Sequence, residues 1–303
     1  MTDAVAINAP GFPPYVQIET VATCNARCVM CPVEEWRRST LLMSDALFTS
    51  LIDQLAGQPG KVLRVTPQLD GEPLIDKKIE DRIAALKAIG IPHVEISSNA
   101  SLLTPERGRR LLDSGLDRIS FSMDGASKDT FEAIRRRLDF TECRDNILAF
   151  LAMRDRLGSP LEVRIRMTLQ DGNIGDYQPF LDFWTRHLGP GDQAYAKFLH
   201  NWAGWTPNYT LPPVIDCDRL NRSPCTSPFS SMVILTDGRV PLCCSDFNAG
   251  NGWGDATTTP LRDIWNGTKA TMARNLHREK GRSGISICVD CNVWDDDATL
   301  GKS

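Results

Sequence analysis

Between residues 15 and 199, short apolar and β-branched runs alternate with segments of helical period, and that alternation leaves few folds open. Strand signals fall at 15–21, 61–66, 93–97, 118–122, 161–169 and 194–199. Helical segments fall at 44–55, 79–89, 105–113, 128–137, 143–156 and 177–187, with Ser44 and Thr104 placed as N-caps. Repeated βα units at this spacing require parallel strands joined by crossovers, which makes the chain α/β. About six units suit a partial (β/α)6 TIM barrel better than a closed barrel of eight. The alternation stops after His200. Residues 201–224, rich in Pro, Asn and aromatic side chains, read as a connecting loop. Residues 230–235 and 239–242 predict a hairpin turning at Asp237-Gly238, and 260–277 a helix. The expected organisation is an extension (1–14), a barrel (15–200), the loop, a small β-hairpin-plus-helix module (225–295) and a tail (296–303).

With 303 residues, 42% of them hydrophobic and 24% charged, the chain can bury a core of ordinary size. A net charge of −4 leaves no basic footprint for nucleic acid, and Arg135-Arg136-Arg137 reads as one solvated turn of a helix. No signal peptide opens the sequence, and no run approaches the ~18 apolar residues of a membrane span, so the expectation is a soluble, cytoplasmic protein. A reducing compartment keeps its ten cysteines free for metal.

Cys24-x3-Cys28-x2-Cys31 follows the first strand, at the barrel end where such folds carry their chemistry. Three thiolates in one loop can hold three irons of a [4Fe–4S] cube and leave the fourth open. Zinc, the rival, wants four protein ligands, and no fourth lies near in sequence. The loop Cys24-Asn25-Ala26-Arg27-Cys28-Val29-Met30-Cys31-Pro32 resembles the signature of the radical S-adenosylmethionine (SAM) superfamily. That resemblance implies SAM chelated on the open iron and cleaved by an electron to a 5′-deoxyadenosyl radical. Gly71-Glu72-Pro73 looks like the family element that binds the methionine amino group. Ser98, Asn99 and Ser120-Phe121-Ser122-Met123-Asp124-Gly125 resemble segments lining the SAM pocket, with Ser122 as ribose contact. Arg166 is placed to grip the carboxylate and Met30 to pack on adenine. The sequence departs from the family at Asp70 and Ala100, where glycine is common.

Cys225-x17-Cys243-x44-Cys288-x2-Cys291 supplies four more thiolates, a set that suits zinc or a cluster. Pro224-Cys225, residues 236–240, Cys243-Cys244, residues 263–266 and Cys288-Val289-Asp290-Cys291 resemble the auxiliary-cluster extensions called SPASM and twitch. The resemblance implies a second, fully ligated [4Fe–4S] cluster, with Cys143 and Cys217 as simple thiols. Relatives of this type include an aminocyclitol dehydrogenase of butirosin biosynthesis and radical epimerases of aminoglycosides and peptides. Cys244, on the opposite face of a hairpin from Cys243, is either the hydrogen-atom donor of an epimerase, the favoured expectation, or a small buried residue. Trp202 and Trp205, with Asn201, Asn208 and Tyr209, read either as a sugar platform or as a packed pair. The expected partners are a small polar substrate such as a sugar or aminoglycoside, a peptide as the alternative, and a flavodoxin- or ferredoxin-type electron donor. A zinc-binding module is the non-enzyme alternative.

Overall fold

The computed structural model describes residues 8–206, 216–293 and 299–300. Asn208, Tyr209 and most of the expected tail lie outside them. Seven parallel strands form one open sheet: β1 (Tyr15–Ile18), β2 (Arg64–Thr66), β3 (His93–Ser98), β4 (Arg118–Ser122), β5 (Glu162–Leu169), β6 (Gln193–Phe198) and β7 (Ser231–Ile234). Their spatial order is β6-β5-β4-β3-β2-β1-β7, with Thr299–Leu300 antiparallel on β6, so the barrel is partial. Between them run α1 (Asp45–Ala56), α2 (Ile79–Ala88), α3 (Pro105–Asp113), α4 (Lys128–Ile134), α5 (Phe140–Leu157) and α6 (Tyr177–Thr185). Ser44 and Thr104 cap α1 and α3 through the amides of Leu47 and Arg107.

Alternation along the strands separates two faces. On β5, Val163, Ile165, Met167 and Leu169 are buried in the apolar core, whereas Arg164, Arg166 and Thr168 line a cavity inside the curve of the sheet. β4 divides in the same way, Ile119 and Phe121 against Arg118 and Ser120. A closed barrel fills its interior with branched apolar side chains. Here a ladder of ion pairs lies across the strands near their N-terminal ends instead: Arg64–Glu95 (3.6 Å), Glu95–Arg118 (2.9 Å), Arg118–Glu162 (2.8 Å) and Glu162–Arg164 (2.7 Å).

Several elements depart from the sequence reading, among them a helix, Cys217–Arg222, inside the expected connecting loop. The hairpin turn at Asp237-Gly238 forms, with the Leu235 amide donating to the Arg239 carbonyl at 2.9 Å, but its arms join different sheets. All four residues of β7 are buried, so the strand needs cover on both faces and finds it beside β1. Arg239–Val240 pairs with Gly254–Asp255. The helix expected at 260–277 divides at Gly267 into Leu261–Asn266 and Thr268–Lys280. The one expected at 128–137 ends at Ile134, because Arg135–Arg136 turns out as a two-residue strand against Arg27–Cys28.

Gly71 marks the tightest approach in the barrel mouth. A Cβ there would lie 2.5 Å from the Val21 carbonyl oxygen and 2.8 Å from that of Thr23, and neither backbone atom is free to give. Gly71→Ala is therefore expected to cost about 1–3 kcal/mol by overpacking. The cost would show as a lower midpoint in urea unfolding under anaerobic conditions; an unchanged midpoint would mean that the loop relaxes freely.

Candidate active site

The loop after β1 carries Cys24, Cys28 and Cys31, and backbone bonds hold it from two sides. The Glu72 amide donates to the Thr23 carbonyl (3.0 Å), and the Val29 amide to the Ile134 carbonyl (3.0 Å), beside the Arg27–Cys28 and Arg135–Arg136 pairing. All three sulfurs are half-buried and line the same cavity. Burial raises the proton affinity of each thiol, to about 12 for Cys31, and Cys31 also feels Asp70, Cys28 and Cys24. Thiols so close and so desolvated need a cation to become thiolates, which is the condition under which cysteines bind metal.

Arg135 is the residue the sequence reading misplaced. Arg136 and Arg137 are exposed as expected, but Arg135 is buried. Its Nε and Nη2 both lie 2.8 Å from Asp124 Oδ2, and Nη1 reaches Cys28 Sγ at 3.7 Å. Asp124 is fully buried and also accepts the Thr168 amide at 2.7 Å. A buried carboxylate needs such a counter-ion, and Asp124 in the segment ending β4 was the available signal for one.

Met30, Glu72, Ser98, Asn99, Ser122 and Arg166 line the cavity beside the cysteines. Glu72 is buried and caps a short turn: Oε1 accepts from Ser98 Oγ (2.8 Å) and the Leu74 amide (3.1 Å), and Oε2 from the Asn99 amide (2.8 Å). Burial nevertheless pushes its carboxyl up, against those bonds, so a neighbouring ammonium would favour the charged form. Asn99 Nδ2 donates to Asn25 Oδ1 (3.0 Å) and tethers the cysteine loop to β3. Ala100 keeps the left-handed backbone (φ 64°) that glycine adopts more easily, so the departure in sequence leaves the conformation in place. Arg166 Nη2 lies 3.4 Å from Ser122 Oγ, while its Nε is buried without a partner. A buried orphan donor beside a buried carboxylate fits the carboxylate and ammonium of an amino acid such as the methionine of SAM.

Cys225, Cys243, Cys288 and Cys291 form a second group. Cys225, Cys288 and Cys291 each feel Cys243 electrostatically, and Cys288 feels the other three. Burial pushes Cys225 up to about 12 and Cys291 to about 11, and buried Arg282 opposes the shift in both. His277, fully buried, accepts the Cys225 amide at Nδ1 (3.3 Å) and places Nε2 3.6 Å from Cys288 Sγ. Neither Arg282 nor His277 carried a sequence signal. Among the described residues no three His, Cys, Asp or Glu side chains converge on a single-ion position. A cuboidal cluster, which takes one cysteine on each iron, does not require that convergence.

Cys244 does not occupy the place its alternation predicts. Residues 243–246 form a turn, closed by the Asp246 amide on the Cys243 carbonyl (3.2 Å), rather than a strand. The two adjacent thiols therefore contact each other, and that contact, with burial, pushes Cys243 far up. Cys244 packs on Val233 and Leu235, with Leu69, Ala249 and Val293 around it. Leu69 and Val293 line the cavity, and Cys244 shares their cluster without lining it. Trp202 also lines it, with Phe247 at 5.9 Å, and Trp205 packs on Phe247 at 6.1 Å.

Residues 18–182 match the family model described as the Radical SAM superfamily, and residues 225–292 that of SPASM, an iron–sulfur cluster-binding domain. Curated relatives include the GTP 3′,8-cyclase of Chlorobaculum tepidum, 32% identical over 139 residues, 45% of this chain and 41% of that protein. The GTP 3′,8-cyclase of Heliobacterium modesticaldum is 28% identical over 195 residues, 60% and 58% of the two chains. The chain thus spans about half the length of the curated relatives it matches. Among solved structures, BtrN in complex with AdoMet and 2-DOIA aligns with a TM-score of 0.63 at 20% identity, over 95% of this chain and 99% of that one. Streptococcus suis SuiB bound to precursor peptide SuiA gives 0.70 at 14%, over 93% and 72%. At these identities the likeness is one of fold.

Changing Cys24, Cys28 and Cys31 together to Ala removes one of two thiol groups. Anaerobically reconstituted protein is then expected to keep about half its iron and acid-labile sulfide; a colourless, zinc-loaded wild type would overturn the cluster assignment. Arg135→Gln removes a buried cation from Cys28 and should make the first cluster harder to reduce. A redox titration followed by EPR reads that shift, and an unmoved midpoint would reduce Arg135 to a packing role.

Proposed function

Because the chain belongs to the radical SAM superfamily and carries a SPASM cluster-binding domain, we propose that it removes a hydrogen atom from a carbon of a small polar substrate. The observation that carries this is a single cavity of about 500 Å³, lined at one part by Cys24, Cys28 and Cys31 and at another by His200, Trp202 and Phe247. Its volume is that of a small-molecule site. The family and domain imply a [4Fe–4S] cluster with SAM and an auxiliary cluster, which when bound supply a 5′-deoxyadenosyl radical and a one-electron acceptor.

The side chains divide the remaining work. Cys24, Cys28 and Cys31 hold the first cluster, and Cys225, Cys243, Cys288 and Cys291 the second. Glu72, kept in place by Ser98 and Asn99, orients the methionine ammonium; Arg166 takes the carboxylate, Ser122 the ribose and Met30 the adenine. His200 follows β6 and presents a buried Nδ1 without a protein partner. Burial, with Lys197 and Arg166 nearby, lowers its pKa to about 4, so the ring is neutral near pH 7 and Nδ1 can accept a hydrogen bond from a substrate hydroxyl.

This arrangement favours oxidation of a carbinol to a ketone. Inversion requires a hydrogen-atom donor, and the candidate, Cys244, is buried with Val233 and Leu235 and is not among the residues that line the cavity. Epimerisation is kept as a second reading because Cys244 shares its apolar cluster with Leu69 and Val293, which do line the cavity. BtrN, crystallised with 2-DOIA, supports a small substrate through its end-to-end likeness in fold, and SuiB, crystallised with a peptide, keeps the peptide alternative open.

Turnover of an aminocyclitol and aminosugar panel in deuterated water separates the outcomes. Oxidation predicts a product two hydrogens lighter, with no solvent deuterium on the attacked carbon. A product of unchanged formula carrying one deuterium, lost in Cys244→Ala while SAM is still cleaved, would overturn oxidation in favour of epimerisation.

A further inference from the structure

Four buried side-chain atoms without a protein partner belong to cavity-lining residues among those described: Arg166 Nε, Gln17 Oε1, Asp70 Oδ2 and His200 Nδ1. Arg166 is accounted for by the methionine carboxylate. The other three come from separate parts of the chain, β1, the loop before Gly71 and the residue pair after β6. Gln17 Oε1 and His200 Nδ1 are hydrogen-bond acceptors, and Asp70 Oδ2 is one once its carboxyl is ionised, the form that a ligand ammonium favours. The other nitrogen of His200 is held by the Asn292 backbone, which leaves Nδ1 with its lone pair.

Resting on the reading above, we propose that Gln17, Asp70 and His200 form a donor-reading subsite that takes N–H and O–H groups of an amine-bearing polyol, with Asp70 facing the ammonium. Buried acceptors are expensive to leave unpaired, and a ligand rich in donors satisfies all three at once. Asp70 has no counter-ion of its own: Arg38, the nearby cation, is held by Glu19 through bonds of 2.8 and 2.9 Å.

The same inventory argues against a polyphosphate ligand. Anion recognition uses free donors, yet Arg64, Arg118 and Arg164 are engaged in the ion-pair ladder. Lys197 lines the cavity too, close enough to His200 to affect its charge. The subsite therefore separates this chain from the cyclases it resembles in sequence, whose printed substrate is GTP. Asp70 also stands where the family commonly has glycine, so the feature belongs to this chain rather than to the shared barrel.

The test uses reconstituted holoenzyme with SAM and three probes: 2-deoxystreptamine, myo-inositol and GTP. Calorimetry is expected to rank the diamine about tenfold or more ahead of inositol, with GTP weakest. Asp70→Asn should bring the diamine to near parity with inositol, whereas Gln17→Leu should weaken both polyols alike. A preference for GTP, a wild type that does not prefer the amine, or an amine preference that survives Asp70→Asn would each overturn the proposal. If Asp70→Asn does not fold, the wild-type ranking and Gln17→Leu decide. Failure of the wild type to form 5′-deoxyadenosine with dithionite would instead strike the radical SAM reading beneath it.

Discussion

The site depends on a loop whose backbone is held from two sides. Thr23 accepts the Glu72 amide on one side, and Arg27–Cys28 pairs with Arg135–Arg136 on the other. A cluster ligated by three side chains of one loop inherits the position of that loop, so these few bonds set where a radical would be made. Arg135 ties the arrangement to the barrel, since its partner Asp124, two residues past β4, holds the Thr168 amide of β5. Burying the charge pair costs desolvation, which its short bonds offset only while both partners are present.

The open sheet explains why a cavity exists. Polar and charged side chains on the inner face of β4 and β5 could not pack a closed barrel, and they complete one another in a ladder instead. The apolar residues of the same strands seal the outer face against the helices. β7 joins this sheet beside β1, so the element that follows the Cys225 region is built into the barrel wall. Asn201 extends the connection. Its amide donates to Asn292 Oδ1 at 3.0 Å and its Nδ2 to the Asp290 carbonyl at 2.6 Å, fastening the turn after β6 to the Cys288–Cys291 pair.

The barrel was legible because its strands and helices are set by local periodicity. Pro105–Asp113 and Arg118–Ser122 fall at the bounds that capping and alternation predict. The partners of the clusters were not legible. His277 sits in an ordinary amphipathic helix and Arg282 in the Gly281–Gly284 turn after it, and only folding brings them near Cys225 and Cys288. Arg135 was misread for a related reason: a basic triplet looks solvated until a buried carboxylate eleven residues earlier claims one member.

By itself the sequence determined the chemistry available, because cysteine spacing within one loop and one Cys-x-x-Cys turn is a local property of the chain. It also determined the fold class, through alternation that no tertiary contact needs to enforce. Tertiary structure decided which groups face the cavity. Cys244, read either as a hydrogen-atom donor or as a small buried residue, is buried in an apolar cluster outside the cavity lining, whereas Gln17, Asp70 and His200, distant in sequence, came to share one cavity. Facing is fixed by how strands curve and loops close, and those depend on contacts between residues far apart in the chain.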